Sequence, residues 1–219
     1  GDRAIIKTIN SQGNKIFKDT KLRNVIKSEE GKFWKFITSD KYLDERKIEI
    51  DENLLKNFYM NKGYYKVKIK SSYAKNINNE FFELNFNIDA GEKHFFKNFV
   101  FNFDKIFDPE NFNSLIKNTE KLKEKKFSKK KLDELVDEIN KIALQKEFVF
   151  INVDYELNID DSNFIDVDFS FKDLEKLFVD EINIFGNFIT EEKVIRNSLI
   201  VDEGDAYNQF LLDKSVSSI

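Results

Sequence analysis

Few side chains in the 219-residue sequence could support catalysis or metal binding. His94 is the single histidine, and the sequence has no cysteine. With neither a second histidine nor a thiol, the chain lacks the residues that commonly build a metal site or a nucleophile–base pair. We therefore interpret His94, which lies between two predicted units, as a surface or linker residue.

Two pairs of carboxylates are the other candidates for calcium binding or acid–base chemistry: Asp160 with Asp161, and Asp166 with Asp168. The first pair falls in a predicted turn and the second on the wet face of a predicted strand. Solvated surface charge is the simpler interpretation of both. No glycine-rich phosphate loop is present. The sequence predicts a protein that is not an enzyme and needs no cofactor.

Composition predicts a globular chain without a basic nucleic-acid-binding arm. Hydrophobic residues make up 41% of it, and 36 basic and 40 acidic residues are interspersed to give a net charge of −4. No apolar run approaches the roughly 18 residues of a membrane-spanning helix. Any export or anchoring signal is expected outside this chain.

One pattern, a short strand followed by a turn and a helix, occurs three times. Gly13-Asn14 in the first copy returns as Gly186-Asn187 in the third, where a strand at Ile182 and Ile184 and a helix capped by Thr190 are predicted. The second copy aligns through the apolar residues of its first helix. The predicted units are residues 1–91, 92–175 and 176–219. The third is incomplete, and we expect residues after about 178 to fold poorly alone, since core and sheet edge would be uncovered.

Each complete unit has the predicted order β-α-α-β-β, which makes the fold class α+β. The second helix of the first unit spans about 44–61 and ends at Gly63, whereas Glu147 occupies the matching position of the second unit. That helix must end by another device or at a cost of about 1 kcal/mol. Two antiparallel helices on one face of a three-stranded mixed sheet of order 1-3-2 would leave the second strand at an edge.

The two predicted edge strands, 65–73 and 149–157, are the candidate binding sites. An edge presents unpaired N–H and C=O groups, to which an extended partner can add as a further strand. Lysines can equally serve to keep an edge from pairing with itself. The candidate residues are Tyr65, Lys66, Val67, Lys68, Ile69, Lys70, Val149, Ile151, Val153 and Tyr155.

A long connector over residues 29–44 is rich in aromatic side chains. Its aromatics either cover the edge of the core or face a partner. Trp34, Phe36 and Tyr42 are the candidates for the second role.

The order and spacing of several short motifs resemble the POTRA domain family. These motifs are Gly13-Asn14 and Gly186-Asn187, Trp34 with Ser39-Asp40-Lys41-Tyr42, Phe58-Tyr59 with Asn61-Lys62-Gly63-Tyr64, Asp89-Ala90-Gly91-Glu92-Lys93, and Val194-Ile195-Arg196 with Glu203-Gly204-Asp205-Ala206-Tyr207-Asn208. Within that family the chain is similar to the third, the fourth and the start of the fifth domain of outer-membrane protein assembly factors. The second copy departs by carrying Phe103-Asp104 in place of Gly-Asn.

This resemblance implies a scaffold in the periplasm of a Gram-negative bacterium, as part of an outer-membrane protein. The implied partners are unfolded outer-membrane β-barrel proteins, accessory assembly lipoproteins and a carboxy-terminal membrane barrel of the same protein. A POTRA string from another outer-membrane transporter or a cell-division protein is the nearer alternative. A single-stranded nucleic-acid-binding module is the more distant one, and the negative net charge and the predicted burial of most strand aromatics argue against it.

Overall fold

A computed structural model describes residues 5–13, 16–31, 44–75, 81–186 and 190–218. Contacts divide the chain into two compact units. The first comprises Gly1–Phe96, Glu124–Lys131 and Asp161–Phe164, and the second comprises Lys97–Lys123, Leu132–Asp160 and Ile165–Ile219. Residues 176–219 thus belong to the second compact unit, and the boundaries after residues 91 and 175 stay predictions.

The first sheet follows the predicted topology. Its elements are β1 (Ile5–Gly13), α1 (Asp19–Arg23), α2 (Glu45–Met60), β2 (Lys68–Lys75) and β3 (Phe81–Asp89). The strand order is β1-β3-β2, with β1 parallel and β2 antiparallel to β3. The mixed three-stranded sheet is confirmed, and β2 pairs with no other strand in the described part of the chain.

The core of the first unit lies between its sheet and its helices. Apolar residues at alternate positions of β3 meet one stripe of α2, as the period-two and helical spacings predict. Gly13 ends β1 with φ +92°, and a Cβ there would approach the Ile88 carbonyl oxygen to 2.4 Å. A glycine is therefore required at this turn. The buried core residues include Ile6, Ile9, Ile48, Leu55, Tyr59, Leu84, Phe86 and Ile88.

The second sheet repeats the order of the first. Its elements are β4 (Phe95–Phe103), a 3₁₀ turn (Pro109–Phe112), α3 (Asn113–Glu120), α4 (Lys129–Gln145), β5 (Ile151–Ile159) and β6 (Phe164–Asp173), and its strand order is β4-β6-β5. The Asp108 side chain accepts a hydrogen bond from the Glu110 N–H at 3.0 Å, with Pro109 at the first position of the 3₁₀ turn. The predicted cap is confirmed, because proline costs nothing where the N–H would be unpaired.

Strand aromatics of the second sheet pack on one another. The Phe101 ring stacks on Phe169 with centroids 5.3 Å apart, and Phe103 lies 4.3 Å from Phe171. Phe169 and Phe171 are at most 1% exposed. The predicted burial of aromatics on this sheet is confirmed for these two residues, so their faces are closed to stacking with a ligand.

Two helices of the chain end in the same way, one on glycine and one on glutamate. Gly63 has φ +101° and Glu147 has φ +63°, both in the left-handed region. The Tyr64 N–H donates to the Tyr59 carbonyl at 3.1 Å, and the Phe148 N–H donates to the Ala143 carbonyl at 2.9 Å. Helix α4 therefore ends in the left-handed conformation that favours glycine, but with a glutamate at that position. This is the costly alternative that the sequence predicts.

The third segment forms two helices, α5 (Glu192–Arg196) and α6 (Gln209–Ser217), but lacks the predicted strand. Ile182 and Ile184 are not in a strand, because the first strand of a unit pairs with the third, as β1 does with β3, and no such third strand is described here. The predicted cap is also wrong: Glu191, not Thr190, precedes α5.

A repeated backbone bridge nevertheless relates the third segment to the second copy of the sequence repeat, which begins at β4. Phe95 bridges Lys126, and Phe178 bridges Ala206 in the same antiparallel sense. Phe95 and Phe178 are 83 residues apart, which is the repeat spacing of the sequence. The third segment therefore begins as a further copy of the repeat.

Candidate partner-binding edges

The first predicted edge strand begins later than expected. Tyr65, Lys66 and Val67 follow the end of α2 in a turn, where the Tyr65 N–H donates to the Gly63 carbonyl at 3.1 Å. Val67 is 4% exposed and belongs to the core. The left-handed helix end thus uses these three residues to redirect the chain, and only Lys68, Ile69 and Lys70 of the predicted set lie in β2.

The Tyr65 ring packs inside the first unit. It contacts the Phe127 ring edge-on at 5.1 Å and the His94 ring at 5.9 Å. Tyr65 was predicted to lie in the edge strand, but it lies in the turn before β2.

The outer edge of β2, which pairs with no strand in the described part of the chain, accepts a contact from its own helix. The Ser71 N–H donates to the Glu52 carboxylate of α2. In an antiparallel ladder, the N–H and C=O of one residue point to the same side, and the side alternates along the strand. Ser71 and Ile69 therefore direct their backbone groups away from β3, toward any strand that would add at this edge.

Opposite faces of β2 carry different side chains. Ile69 packs against the core beneath α2, whereas Lys68 and Lys70 are exposed on the other face. A groove of about 210 Å³ runs between α2 and the β2 edge. It is lined by Glu45, Ile48, Glu49, Glu52 and Ser71.

The second predicted edge, which begins at Val149, is covered where it starts. Val149 precedes β5, and its carbonyl accepts a hydrogen bond from the Asn208 side-chain amide. Asn208 is 3% exposed, and its side-chain oxygen also caps α6 by accepting the Leu211 N–H at 3.1 Å. A residue from the third segment therefore binds the backbone just before β5 begins.

Helix α6 extends this cover along the groove between α4 and β5. The Lys214 ammonium is 2.9 Å from the Asp137 carboxylate of α4. A cavity of about 270 Å³ between the three elements is lined by Ile151 and Val153 of β5 together with residues of α6. Tyr155 lies further along and packs edge-on against Phe169 at 6.1 Å. The expected edge is thus bound at Val149 and bordered by α6 beside Ile151 and Val153, and partner binding there stays a prediction.

The remaining predicted partner residues, Trp34, Phe36 and Tyr42, lie outside the described residues.

His94 is buried rather than a surface residue, which corrects the sequence interpretation. It is 1% exposed, its Nδ1 lies 3.0 Å from the Glu92 carbonyl, and its backbone N–H donates to the Gly63 carbonyl at 2.8 Å. Burial lowers the pKa of the imidazole, because the charged form loses its hydration. His94 is therefore packed against the backbone of Gly63 and Glu92. The identity of one residue in a sequence cannot indicate such burial.

Three of the four predicted surface carboxylates have a polar partner: Asp160, Asp166 and Asp168. Asp160 is 2.9 Å from the Lys97 ammonium and raises the pKa of that lysine through this hydrogen bond. Asp166 accepts from the Asn98 side chain at 2.8 Å, and Asp168 from Asn158 at 2.8 Å. Over the described ranges, no three His or carboxylate side chains gather as metal ligands, and no helix there has the length and apolarity of a membrane crossing.

Two carboxylates of α2 were missed by the sequence analysis. Asp51 is fully buried and accepts the Lys27 N–H at 2.6 Å and the Ser28 N–H at 3.1 Å. Its signal was an acid placed between Ile48 and Leu55 on the apolar stripe. Glu52, the partner of Ser71, gave no such signal because an exposed helix face often carries glutamate.

A family model matches the first part of the chain, and relatives match nearly all of it. Residues 4–91 match the family model of POTRA, a surface antigen variable number repeat. The outer membrane protein assembly factor BamA of Neorickettsia risticii (strain Illinois) is 26% identical over 93% of this chain and 27% of its own length. BamA of Buchnera aphidicola subsp. Acyrthosiphon pisum (strain APS) is 24% identical over 97% of this chain and 34% of its own length.

A solved structure has the same fold. The crystal structure of Haemophilus influenzae BamA POTRA3-5 superposes with a TM-score of 0.66 at 16% identity, covering 98% of this chain and 84% of that one. The chain spans about a third or less of the length of the curated relatives that it matches.

Proposed function

Since residues 4–91 of this chain match the POTRA family model and the whole chain has the fold of tandem POTRA domains similar to those of BamA, we propose that it is a non-catalytic periplasmic module of an outer-membrane β-barrel assembly factor. Its role is to bind unfolded β-barrel clients by strand addition. It also docks accessory lipoproteins and works with a carboxy-terminal membrane barrel of the same protein.

The observation that supports client binding is the edge of β2. This strand pairs with β3 on one side only in the described residues, and its outward backbone groups at Ile69 and Ser71 border an open groove. Main-chain hydrogen bonds require little of the client's sequence. A module that handles many β-barrel clients benefits from this tolerance.

The edge of β5 contributes less to the proposed role. Its start is occupied by Asn208 and bordered by α6, so a client strand would have to displace a helix to reach Val149 and Ile151. We therefore assign client binding to β2 first. Docking of accessory lipoproteins is supported by the family resemblance alone, and Trp34, Phe36 and Tyr42 stay candidates for contact with a partner that is not specified.

A titration of the full 219-residue chain, followed by amide NMR, tests the proposal. The probe is an extended peptide in which apolar and polar residues alternate as they do in a barrel strand, with an oligonucleotide as control. We expect peptide-specific shifts at the backbone of residues 68–72. Shifts with the oligonucleotide alone, spread over lysines and aromatics, would favour the nucleic-acid alternative, and no response to the peptide would contradict strand addition.

A further inference from the structure

The outer edge of β2 is bordered by opposite charges on its two faces. On the helix side, the groove is lined by three glutamates of α2, spaced so that they share one side of the helix: Glu45, Glu49 and Glu52. On the other face, Lys68 and Lys70 are exposed. A strand added here would place alternate side chains next to each of these two sets.

We propose, building on strand addition as the proposed function, that this edge selects extended segments in which basic and acidic residues alternate. The basic residues of such a segment face α2 and the acidic residues face Lys68 and Lys70. Among the strands that can add here, one with alternating charge is preferred, and strands with one uniform charge or with mixed charges on each face bind less tightly.

Glu52 changes its partner in this binding step. Before binding, its carboxylate accepts the Ser71 N–H, which is the group that an added strand must engage. An incoming carbonyl takes over that N–H, and the released carboxylate then pairs with a lysine or arginine of the incoming strand. Every polar group keeps a partner in both states, whereas an apolar or acidic side chain at this position would leave Glu52 beside the groove without one.

The other glutamates strengthen the same preference. Glu49 is exposed and lies one helical turn before Glu52, within reach of the next helix-facing side chain of the added strand. Opposite charges placed directly across neighbouring strands stabilise pairing, and like charges destabilise it. Two or three such pairs predict a preference of about tenfold in affinity.

The test compares three labelled peptides of equal length by fluorescence anisotropy on the full chain. The first alternates lysine and glutamate; the second has the same composition with the charges in consecutive pairs, so that each face carries both signs; the third alternates threonine and valine. We expect the alternating charged peptide to bind about tenfold more tightly than the paired-charge peptide, and the difference to shrink with added salt.

Three variants locate the effect. Glu49→Lys should abolish the preference for alternating charge. Glu52→Gln should reduce it, because the amide oxygen still accepts the Ser71 N–H but carries no charge to pair with a lysine or arginine of the incoming strand. Glu175→Lys, the same charge change at an exposed position of the second unit, is the matched control and should leave the preference intact.

The outcomes separate this inference from strand addition itself. If all three peptides bind equally, or if the preference survives in Glu49→Lys, the charge selection is wrong while strand addition stands. If none of the peptides binds, both the inference and the proposed function fall.

Discussion

The strands β2 and β5 are the edge strands at equivalent places in their two sheets. The side chains that bind their backbones come from residues at different separations along the sequence. At β2, the Ser71 N–H is taken by Glu52, a side chain 19 residues away on the helix of the same unit. At β5, the Val149 carbonyl is taken by Asn208, 59 residues away, and α6 follows beside the strand.

This difference separates an exchangeable contact from a docked element. One carboxylate can rotate away from Ser71 without disturbing any hydrogen bond between two backbone groups, so the β2 edge can accept a partner at low cost. Opening the start of β5 requires α6 to leave its place. The proposed binding activity therefore belongs to the first unit, whereas in the second unit the start of the corresponding edge is held by Asn208 and bordered by α6.

The largest expected effect concerns the helix that supplies Glu52. Asp51→Leu should destabilise the first unit by about 3 kcal/mol, because the N–H groups of Lys27 and Ser28 lose their charged acceptor. Urea unfolding followed by circular dichroism measures the change.

The natural control is Leu135, 84 residues after Asp51, just as Glu147 is 84 residues after Gly63. Leu135→Met should cost less than about 1.5 kcal/mol. Equal losses in the two variants would show that Asp51 contributes only volume.

A smaller effect should open the second edge. Asn208→Ala removes the cap of α6 and its bond to Val149, and should destabilise the α6 docking by about 1–2 kcal/mol. Hydrogen exchange should then quicken in α6, and the strand peptide should begin to shift residues 151–155. Lys214→Arg, which keeps the charge beside Asp137, is the control; peptide shifts at β5 already present in the unaltered chain would contradict the cover that we assign to α6.

Substitutions at the ends of α2 and α4 should change the free energy of unfolding in opposite directions. Glu147→Gly relieves a left-handed residue and should raise the free energy of unfolding by up to about 1 kcal/mol. Gly63→Ala should lower it by about 1 kcal/mol or more, because the new Cβ would also lie 3.4 Å from the Lys126 side chain. If the free energy of unfolding changed in the same direction in both variants, the left-handed backbone conformation would not be the cause of these changes.

The smallest expected effect is the contribution of His94 to the pH dependence of stability, and it should be seen only at acidic pH. Because burial lowers its pKa in the folded state below the usual 6.5, the unfolded chain binds the proton more readily. The stability of the first unit should be complete above pH 6.5 and decrease as the pH falls through that value. Urea midpoints of the chain and of His94→Gln at pH 7.5 and 5.5 test this, and an equal decrease in both would assign the loss to other groups.

Local patterns in the sequence predicted the elements that depend on near neighbours. The alternation of strand residues, the spacing on α2 and α4, and the Asp108-Pro109 start were enough to place these elements and the order of each sheet. The start of β2 was missed because the turn after Gly63 uses three residues that alternate as a strand would. Asp51 and His94 were missed because their burial depends on elements that reach them from elsewhere.

The sequence by itself determined the repeated β-α-α-β-β plan and therefore which strand of each sheet lies at an edge, since periodicity and turn residues act over a few neighbours. Only the tertiary structure decided which edge the described residues leave open. That outcome depends on whether Glu52, Asn208 and Lys214 reach their partners, and such contacts are set by the packing of whole elements. Between repeats with the same plan, these contacts decide where a partner strand can add.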